Sequence, residues 1–427
     1  MAELDVQTAR WLVSTAGLAA VAAATTQLDD GADELKVATD LTRRTSHPER
    51  RAAALGAAVA RRRARQRWPL AEELLFTRAA LEQASDPALS AHRAARLVAT
   101  LGRRPAATAT IADLCAGVGG DAIALAQAAA GTGTPLEAVD DDAARLVLLA
   151  HNAEVAGVTV TSHHADALTF ALAPEAAVHA DPSRRRDGRR VRRLADHLPS
   201  VPALLAAHLG TGAWALALSP GVDLDDPDLP DDLEDLEVEY VQLADALVEA
   251  TVWLGAGDGG RRTRATLLQD GEVVASRLGN PATRTRLPVD EIGSVLIDPV
   301  PAAVRARVHD DLGRELGAWR VSAHRALLTS DLAPPPSPWY RARPVEAVLP
   351  ARARELRRWL EQRQGADGDR PEVELVLHGV DADPVELWRR LGRPRRGPHG
   401  LRLEFVRRER DTVTVVTRTS DTVGPDG

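Results

Sequence analysis

Apolar residues in the first hundred positions recur at intervals of three and four, which is the spacing of an amphipathic helix. The pattern is clear at Leu18 and Val21 and again over 70–81. No alternation of apolar and polar residues, which would indicate a strand, interrupts it. We therefore expect an N-terminal helical domain over residues 1–100.

After position 105 the pattern changes to short apolar runs separated by helical stretches. Such alternation indicates a mostly parallel β-sheet with helices on both faces. The strands are predicted at 108–114, 135–140, 158–164, 176–181, 214–219, 249–254 and 264–268, with helices at 121–130 and 143–156. An α/β domain is expected over 101–288.

The last part of the chain, 289–420, mixes both patterns and predicts a smaller α+β domain. Its strands are expected at 293–297, 345–349, 373–377, 401–406 and 412–417, and its helices at 302–316, 351–362 and 384–391. Residues 421–427 are expected to be a disordered tail. A chain of 427 residues is too long for one ordinary core, so several domains fit its length.

Composition and charge narrow the class of protein. With 44% hydrophobic and 27% charged residues, the chain is typical of a soluble globular protein. Its net charge of −8 argues against a protein that coats nucleic acid non-specifically. Local basic patches are still expected, because arginines cluster over 43–67, 184–193 and 389–396.

Several functional classes are excluded. Cys115 is the only cysteine, so neither a disulfide nor a multi-thiolate metal site is possible. The histidines lack metal-ligand spacing, so no metal is expected. No apolar run approaches the roughly 20 residues of a membrane span, and the first residues do not resemble a signal peptide. We expect a cytoplasmic protein.

The chemistry of the chain is concentrated in a glycine-rich turn. Gly117, Gly119 and Gly120 directly follow the predicted first strand and precede a helical pattern. A strand that turns on glycines into a helix places backbone N–H groups against a ligand, and a Cβ atom would block that approach. The turn predicts a nucleoside-bearing cofactor. Because Ala122 and Asp140 complete a dinucleotide fingerprint, an oxidoreductase that binds NAD or FAD is one hypothesis.

Aspartates at successive strand ends favour S-adenosylmethionine instead. A carboxylate at Asp113, ahead of the glycines, would repel a pyrophosphate but would attract the ammonium group of S-adenosylmethionine. Asp140 can accept hydrogen bonds from both ribose hydroxyls, and Asp166 with the backbone N–H of Ala167 can bind adenine. Each aspartate alone could be a helix cap, but Asp181 makes four at four strand ends.

The segment Asp113-Leu-Cys-Ala-Gly-Val-Gly-Gly120 resembles motif I of class I S-adenosylmethionine-dependent methyltransferases, in the variant found in several RNA methyltransferases and in trimethylguanosine synthase. The segments around 75–96, 180–185, 218–223, 328–331 and 375–379 resemble bacterial methyltransferases with a C-terminal THUMP-like domain. The resemblance implies a Rossmann-like core, a THUMP-like domain over 289–420 and an RNA substrate, either tRNA or rRNA. The cofactor-binding residues that it implies are Asp113, Cys115, Ala116, Gly117, Val118, Gly119, Asp140, Asp166 and Ala167.

The segment from Asp181 to Arg184 stands where amino methyltransferases of nucleobases carry Asp or Asn, two prolines and an aromatic residue. The resemblance implies that Asp181 and Pro182 are catalytic and that Ser183, Arg184 and Arg185 bind the substrate. An arginine can stack on a base or pair with a phosphate, although the departure from the motif leaves the target atom open.

The single cysteine limits the kind of atom to which a methyl group could be transferred. Methylation of pyrimidine C5 uses a cysteine nucleophile, and Cys115 lies inside the cofactor turn, where it cannot serve. Transfer to nitrogen needs only in-line placement and removal of a proton. We therefore expect an RNA N-methyltransferase. Because Ser183 and Arg184 depart from the motif, a non-catalytic RNA-binding protein is the other hypothesis, and the oligomeric state is undetermined.

Overall fold

The structure is a computed structural model. It describes residues 4–101, 110–186, 189–208, 210–230, 235–256, 259–279, 286–363, 372–392, 394–395, 397, 400–409 and 411–418. The predicted tail and the start of the predicted first strand lie outside these residues. The chain divides into two compact units, of which the first contains Met1–Ala244, Val248–Arg262 and Leu268–Val273, and the second contains Asp245–Leu247, Thr263–Leu267 and Val274–Gly427.

The first unit begins with helices, as the sequence predicts. They are α1 Val6–Leu12, α2 Thr15–Asp29, α3 Glu34–Asp40, α4 Pro48–Ala64, α5 Arg78–Gln83 and α6 Pro87–Leu101. Side chains of Asp5, Ser14, Asp33 and Thr77 cap four of the N-termini by accepting backbone N–H groups. Within the described chain, no single helix is long and apolar enough to cross a membrane, and only the bent pair α1–α2 passes that test jointly.

Five parallel strands form one side of a nine-stranded sheet. They are β1 Ile111–Leu114, β2 Leu136–Asp140, β3 Thr161–His164, β4 Ala177–Ala180 and β7 Trp214–Leu218, in the order β3-β2-β1-β4-β7 with β3 at the edge. Helices α7 Gly120–Ala128, α8 Ala143–Val155 and α9 Val201–Ala207 connect them. Since β1 has β2 on one side and β4 on the other, the chain reverses its direction of travel across the sheet beside β1. Ligands of such sheets bind at this reversal.

The sheet continues beyond β7 with antiparallel strands, so the expectation of a mostly parallel sheet holds only for the side from β7 to β3. These strands are β8 Asp235–Leu243, β9 Ala246–Leu254, β10 Gly260–Gln269 and β11 Glu272–Gly279, in the order β7-β9-β8-β10-β11. The predicted strands at 249–254 and 264–268 fall within β9 and β10. The strands β8 and β11 were not predicted. In β8 the acids Glu237 and Glu239 are both buried and pair with Arg96.

The second unit is an α+β unit around a seven-stranded sheet. Its strands are β12 Val295–Pro299, β13 Trp319–Arg320, β14 Leu328–Ser330, β15 Tyr340–Pro350, β16 Val373–His378, β17 Leu401–Arg407 and β18 Thr412–Arg418, in the order β13-β14-β12-β15-β18-β17-β16. Its helices are α10 Pro301–Arg305, α11 His309–Glu315, α12 Ala353–Glu361 and α13 Pro384–Arg390.

One helix of this unit was predicted wrongly. The pattern at 302–316 indicated a continuous helix, but the chain forms α10 and α11 with a break between them. At the break Arg307 adopts a left-handed backbone with φ of +60°, and Val308 N–H donates to Ala303 O at 3.0 Å. No glycine or proline stands at this position, so the sequence carries no signal for the break.

Candidate functional site

The glycine-rich turn has the geometry that its sequence predicts. Cys115, Gly117 and Gly119 have φ values of +64°, +57° and +94°, and α7 begins at the following residue. A Cβ atom on Gly119 would lie 2.9 Å from Cγ of Leu149, so only glycine fits there. A Cβ atom on Gly117 would meet nothing within 4 Å. Gly117 therefore borders open space at the end of β1, where a ligand can approach the backbone.

Asn152 fixes this turn, and the sequence reasoning did not identify it. Its side-chain amide is buried in α8 and donates to the carbonyl oxygens of Val118 and Leu75, each at 3.0 Å, while its oxygen accepts the Leu75 N–H at 2.8 Å. A further backbone bond joins Ala116 N–H to Val139 O at 3.1 Å. The turn is thus held by β2, by α8 and by the segment ahead of α5.

Asp140 lies at the end of β2 next to the turn, as predicted, but its carboxylate is buried. One oxygen accepts the backbone N–H of Gly117 at 2.8 Å, and the other accepts that of Asp142 at 2.9 Å. Burial raises the pKa of Asp140 more than these hydrogen bonds lower it. Nη1 of Arg145 also lies 3.5 Å from Oδ1, so Oδ2 is the oxygen that keeps an acceptor position for a ligand.

Asp166 and Ala167 follow β3 in a turn at the surface. The Asp166 carboxylate accepts the Leu168 N–H at 2.8 Å, which is the turn-capping arrangement common for aspartate. Its side chain is exposed, whereas Ala167 is buried and its carbonyl accepts a hydrogen bond from His208 Nε2 at 2.7 Å. The position suits an edge of a bound base, although the hydrogen bonds that the structure gives are those of a turn.

Asp113 is buried and pairs with a histidine that the sequence reasoning did not identify. Oδ1 of Asp113 lies 2.7 Å from Nδ1 of His179, its neighbour across β1 and β4. Oδ2 of Asp113 and Nε2 of His179 have no hydrogen-bond partner within the described residues. Burial raises the pKa of Asp113 more than His179 lowers it. Burial lowers the pKa of His179, but the charges of Asp121 and Asp113 outweigh it and the net shift is upward.

A buried ion network continues from His179 into the helices. His179 Nε2 lies 3.9 Å from Asp121 in the first turn of α7, and Asp121 accepts from Arg93 of α6. Arg93 is 1% exposed and also bonds Glu249 of β9 and, at 2.8 Å, Ser85 Oγ. Burial would raise the pKa of Asp121, but Arg93 and then His179 lower it to about 2.

Asp181 lies directly after β4, two residues beyond His179 and therefore on the same face of the strand. Its side chain is partly exposed at the edge of the buried network. Burial first, and then the negative charge of Asp121, raise the pKa of Asp181 to about 7. A carboxyl group with such a pKa exchanges its proton near neutral pH, which is the range in which an acid–base group works best.

The chain after Asp181 forms an arginine-bearing hairpin rather than the loop that its composition suggests. Pro182 is buried, and the backbone of Ser183 exchanges hydrogen bonds with that of Leu198 at 2.8 and 3.0 Å. Strands β5 Arg185–Arg186 and β6 Arg189–Arg190 then pair antiparallel. The side chains of Arg185, Arg189 and Arg190 are exposed, so positive charge borders the position of Asp181.

The Cys115 thiol lies among carboxylates. Burial first, and then the charges of Asp140, Asp113 and Asp181, raise its pKa well above the ordinary value. The thiol is therefore protonated at neutral pH and is a poor nucleophile, in agreement with the exclusion of cysteine catalysis.

The electrostatics of the turn suit a cationic cofactor. Asp140, whose carboxylate accepts the N–H of Gly117, places an acid against the turn, where a carboxylate repels a pyrophosphate and stabilises a sulfonium or an ammonium. Oδ2 of Asp113, buried without a partner, offers an acceptor at the same place. Within the described residues, no group of three or more His, Cys, Asp or Glu side chains could hold a metal ion.

Comparisons with known proteins agree with this geometry. The chain is 30% identical over 320 residues, which is 74% of its length and 80% of theirs, to proteins from two strains of Mycobacterium tuberculosis, each described as an uncharacterized S-adenosylmethionine-dependent methyltransferase. Its fold is similar to that of a candidate methyltransferase from Porphyromonas gingivalis, with a TM-score of 0.67 at 19% identity over 88% of this chain and 92% of that chain. No family model matches the chain.

Proposed function

Because this chain belongs to the S-adenosylmethionine-dependent methyltransferases, we propose that it transfers a methyl group to a nitrogen atom of a nucleotide in RNA. The observation that carries the proposal is the position of Asp181, a partly exposed carboxyl with a pKa of about 7 beside both the glycine-rich turn and an arginine-bearing hairpin. Family membership decides against the oxidoreductase that the glycine pattern also allowed.

When bound, S-adenosylmethionine supplies an electrophilic methyl group. We propose that the turn from Cys115 to Gly119 holds the cofactor through backbone N–H groups, as a glycine-rich turn ahead of a helix does. Asp140 would accept a hydrogen bond from a ribose hydroxyl through the remaining acceptor position of Oδ2, and Asp166 with Ala167 would bind the adenine. Asp113 would attract the ammonium group through Oδ2, which has no partner within the described residues.

At the acceptor, Asp181 and the carbonyl of Pro182 would accept the two N–H bonds of an exocyclic amine. Two such bonds fix the plane of the amine and direct its lone pair toward the methyl group, which is the in-line placement that transfer needs. The nitrogen gains a bond to carbon and must then lose a proton. Asp181, whose pKa is raised to about 7, is suited to receive it.

Three features support RNA as the substrate. The exposed arginines of the β5–β6 hairpin can contact a phosphate backbone, and Arg184 beside Asp181 can stack on a base. The motif I resemblance is to RNA methyltransferases. The α+β second unit has the fold class expected of a THUMP-like domain, an identity that stays a prediction. A non-catalytic RNA-binding protein is the alternative, favoured by the departure at Ser183 and Arg184 from the usual motif.

The test is tritiated methyl transfer to total RNA from a strain that lacks the gene. We expect incorporation into tRNA or rRNA with the wild type and a loss of about a hundredfold or more with Asp181→Ala. Calorimetry with S-adenosylhomocysteine shows in parallel whether each protein still binds the cofactor product. If the wild type binds it firmly and no RNA is labelled, the RNA N-methyltransferase proposal fails and the result favours the non-catalytic alternative.

A further inference from the structure

Arg343 is a buried arginine in the second unit whose guanidinium is not neutralised by a hydrogen-bonded partner. It lies on β15 and is 5% exposed. Its Nη1 atom is buried and has no hydrogen-bond partner within the described residues. The nearest carboxylate oxygen recorded, Oε1 of Glu404, is 3.8 Å away, which is too far for a hydrogen bond. Leaving a charged donor buried and unsatisfied is costly, so a missing acceptor is indicated.

Glu404 cannot supply that acceptor, because other groups hold it. It is fully buried on β17, where Oε2 lies 2.8 Å from Nε2 of His378 and Oε1 accepts from Thr417 at 3.2 Å. Burial would raise the pKa of Glu404, but His378, Arg343 and Arg402 lower it, so it is ionised at neutral pH. Glu404 therefore positions the cations around it without bonding the guanidinium of Arg343.

A second arginine on the same face also has a buried donor without an acceptor. Nε of Arg402 has no hydrogen-bond partner within the described residues and lies 3.5 Å from Oε1 of Glu404, while its Nη1 donates to Glu374 at 3.2 Å. Both guanidiniums lie within 4 Å of the same oxygen, Oε1 of Glu404, so they are close to each other. Burial, and then the charge of Arg402, lower the pKa of Arg343.

The strand register places these groups on one face of the sheet. Arg402 and Glu404 are two apart on β17, opposite Glu374 and Val376 of β16, and His378 is two residues further along. On β15, Arg343 faces Leu296 of β12, and Asp298 lies two residues beyond Leu296. Side chains two apart on a strand point to the same face. Four strands thus contribute to a single cluster.

Asp298 completes the surroundings. It is partly exposed, and burial raises its pKa despite the nearby His378 and the two arginines. Asp298 is thus one more carboxyl group beside the cluster. The buried donors that lack an acceptor within the described residues are Nη1 of Arg343 and Nε of Arg402.

We propose that Arg343, with Arg402 and His378, forms a binding site for a phosphate group on the sheet of the second unit. A guanidinium presents paired N–H donors that match the oxygens of a phosphate, and a fixed acid that orients arginines preorganises them for it. The phosphate belongs either to a free small molecule or to an RNA backbone. The proposal does not depend on which nucleotide or atom is methylated.

The test compares inorganic phosphate with chloride at equal ionic strength, using the full chain and isothermal calorimetry. The wild type is expected to bind phosphate saturably, and Arg343→Met to bind it at least about tenfold more weakly. The control is Arg352→Met, just beyond the end of β15, because the Arg352 side chain is exposed and pairs with Glu355 at 3.4 Å. That variant removes the same charge from the surface of the same unit and should change the affinity by less than about twofold.

A short single-stranded RNA then distinguishes the two sources. Competition by the RNA, lost in Arg343→Met, assigns the site to a backbone phosphate, and phosphate binding without competition assigns it to a free small molecule. Should Arg343→Met fail to fold, Arg343→Lys keeps the charge but removes the paired donors, and it should still weaken phosphate binding. Absence of saturable binding by the wild type, or equal binding by the Arg343 variant, would overturn the proposal and leave a buried water as the partner of Arg343.

Discussion

Replacing Arg93 with methionine should destabilise the first unit more than the loss of an ordinary arginine would. Arg93 is 1% exposed and is bonded to the carboxylates of Asp121 and Glu249. Methionine fills much of the same volume, so packing is largely kept while the charge is lost. Two carboxylates would then remain in the interior without their cation.

The size of the effect follows from that burial. Removing one partner of a buried ion pair costs about 3–5 kcal/mol, because the remaining charge is desolvated and uncompensated. The folded protein holds the pKa of Asp121 at about 2, below its ordinary 3.8. The stability that ionised Asp121 contributes to the wild type is present above about pH 4 and is lost as the pH falls toward 2. In Arg93→Met the uncompensated Asp121 instead favours its protonated form, so the difference between the proteins should be largest at neutral pH and shrink in acid.

Urea unfolding followed by tryptophan fluorescence at pH 7 and pH 4 measures this difference. The control is Arg43→Met, because Arg43 is exposed and its pair with Asp40 at 3.5 Å is worth less than about 1 kcal/mol. The double variant Arg93→Met/Glu249→Gln should recover part of the loss, since it neutralises one of the stranded acids. A loss below about 1 kcal/mol at pH 7, or one that does not shrink at pH 4, would refute the reasoning.

Three further outcomes are expected. Asp113→Asn should weaken S-adenosylmethionine binding by about tenfold or more in calorimetry, because it removes the charge proposed to face the ammonium group. Unchanged affinity would show that Asp113 only hydrogen-bonds His179 and does not contact the cofactor. The rate of methyl transfer should rise as the pH increases through about 7, because Asp181 ionises there, and below that pH it should fall about tenfold per pH unit. Asp181→Asn should flatten this pH profile, and a wild-type profile that is flat from about pH 5 to 7 would contradict the prediction. Asn152→Ala should lower the free energy of unfolding by about 2 kcal/mol or more, because it leaves buried backbone groups of Leu75 and Val118 without partners. A change under about 0.5 kcal/mol in a urea titration would count against this prediction.

The parts of the fold that the sequence predicted are those with a clean local pattern. The helix from Pro87 to Leu101 and the central strands follow from regular spacing and from turn residues at their ends. The strand β8 was missed although Glu237 and Glu239 alternate with apolar residues, which is the pattern of a strand. What the pattern does not show is that both acids are buried and pair with Arg96 and Arg262 of other elements. Local pattern cannot report a partner that is distant in sequence.

The candidate site likewise contains residues that the sequence predicted and residues that it did not. The glycine-rich turn and the aspartates from Asp113 to Asp181 were predicted, because strand ends and turn residues are short-range signals. Their roles toward cofactor and substrate stay predictions. Arg93 and His179 were not singled out, although His179 stands two residues before Asp181 and strand alternation places both on one face. The two-residue spacing was therefore the sequence signal that could have linked His179 to Asp181. Its importance is clear only once the structure shows that His179 is buried.

The sequence by itself determined the order of helices and strands around the turn and the exclusion of a cysteine nucleophile, because both depend on residue type and local spacing. The glycine pattern left two types of cofactor open, and the relatives of the chain decided between them. Only the tertiary structure decided which charges meet. It brought Arg93 of a helix, Asp121 of the next and Glu249 of a distant strand into one buried network beneath Asp181. The pKa of a carboxyl depends on desolvation and on neighbouring charges in space, so that property of Asp181 could not be read from the chain alone.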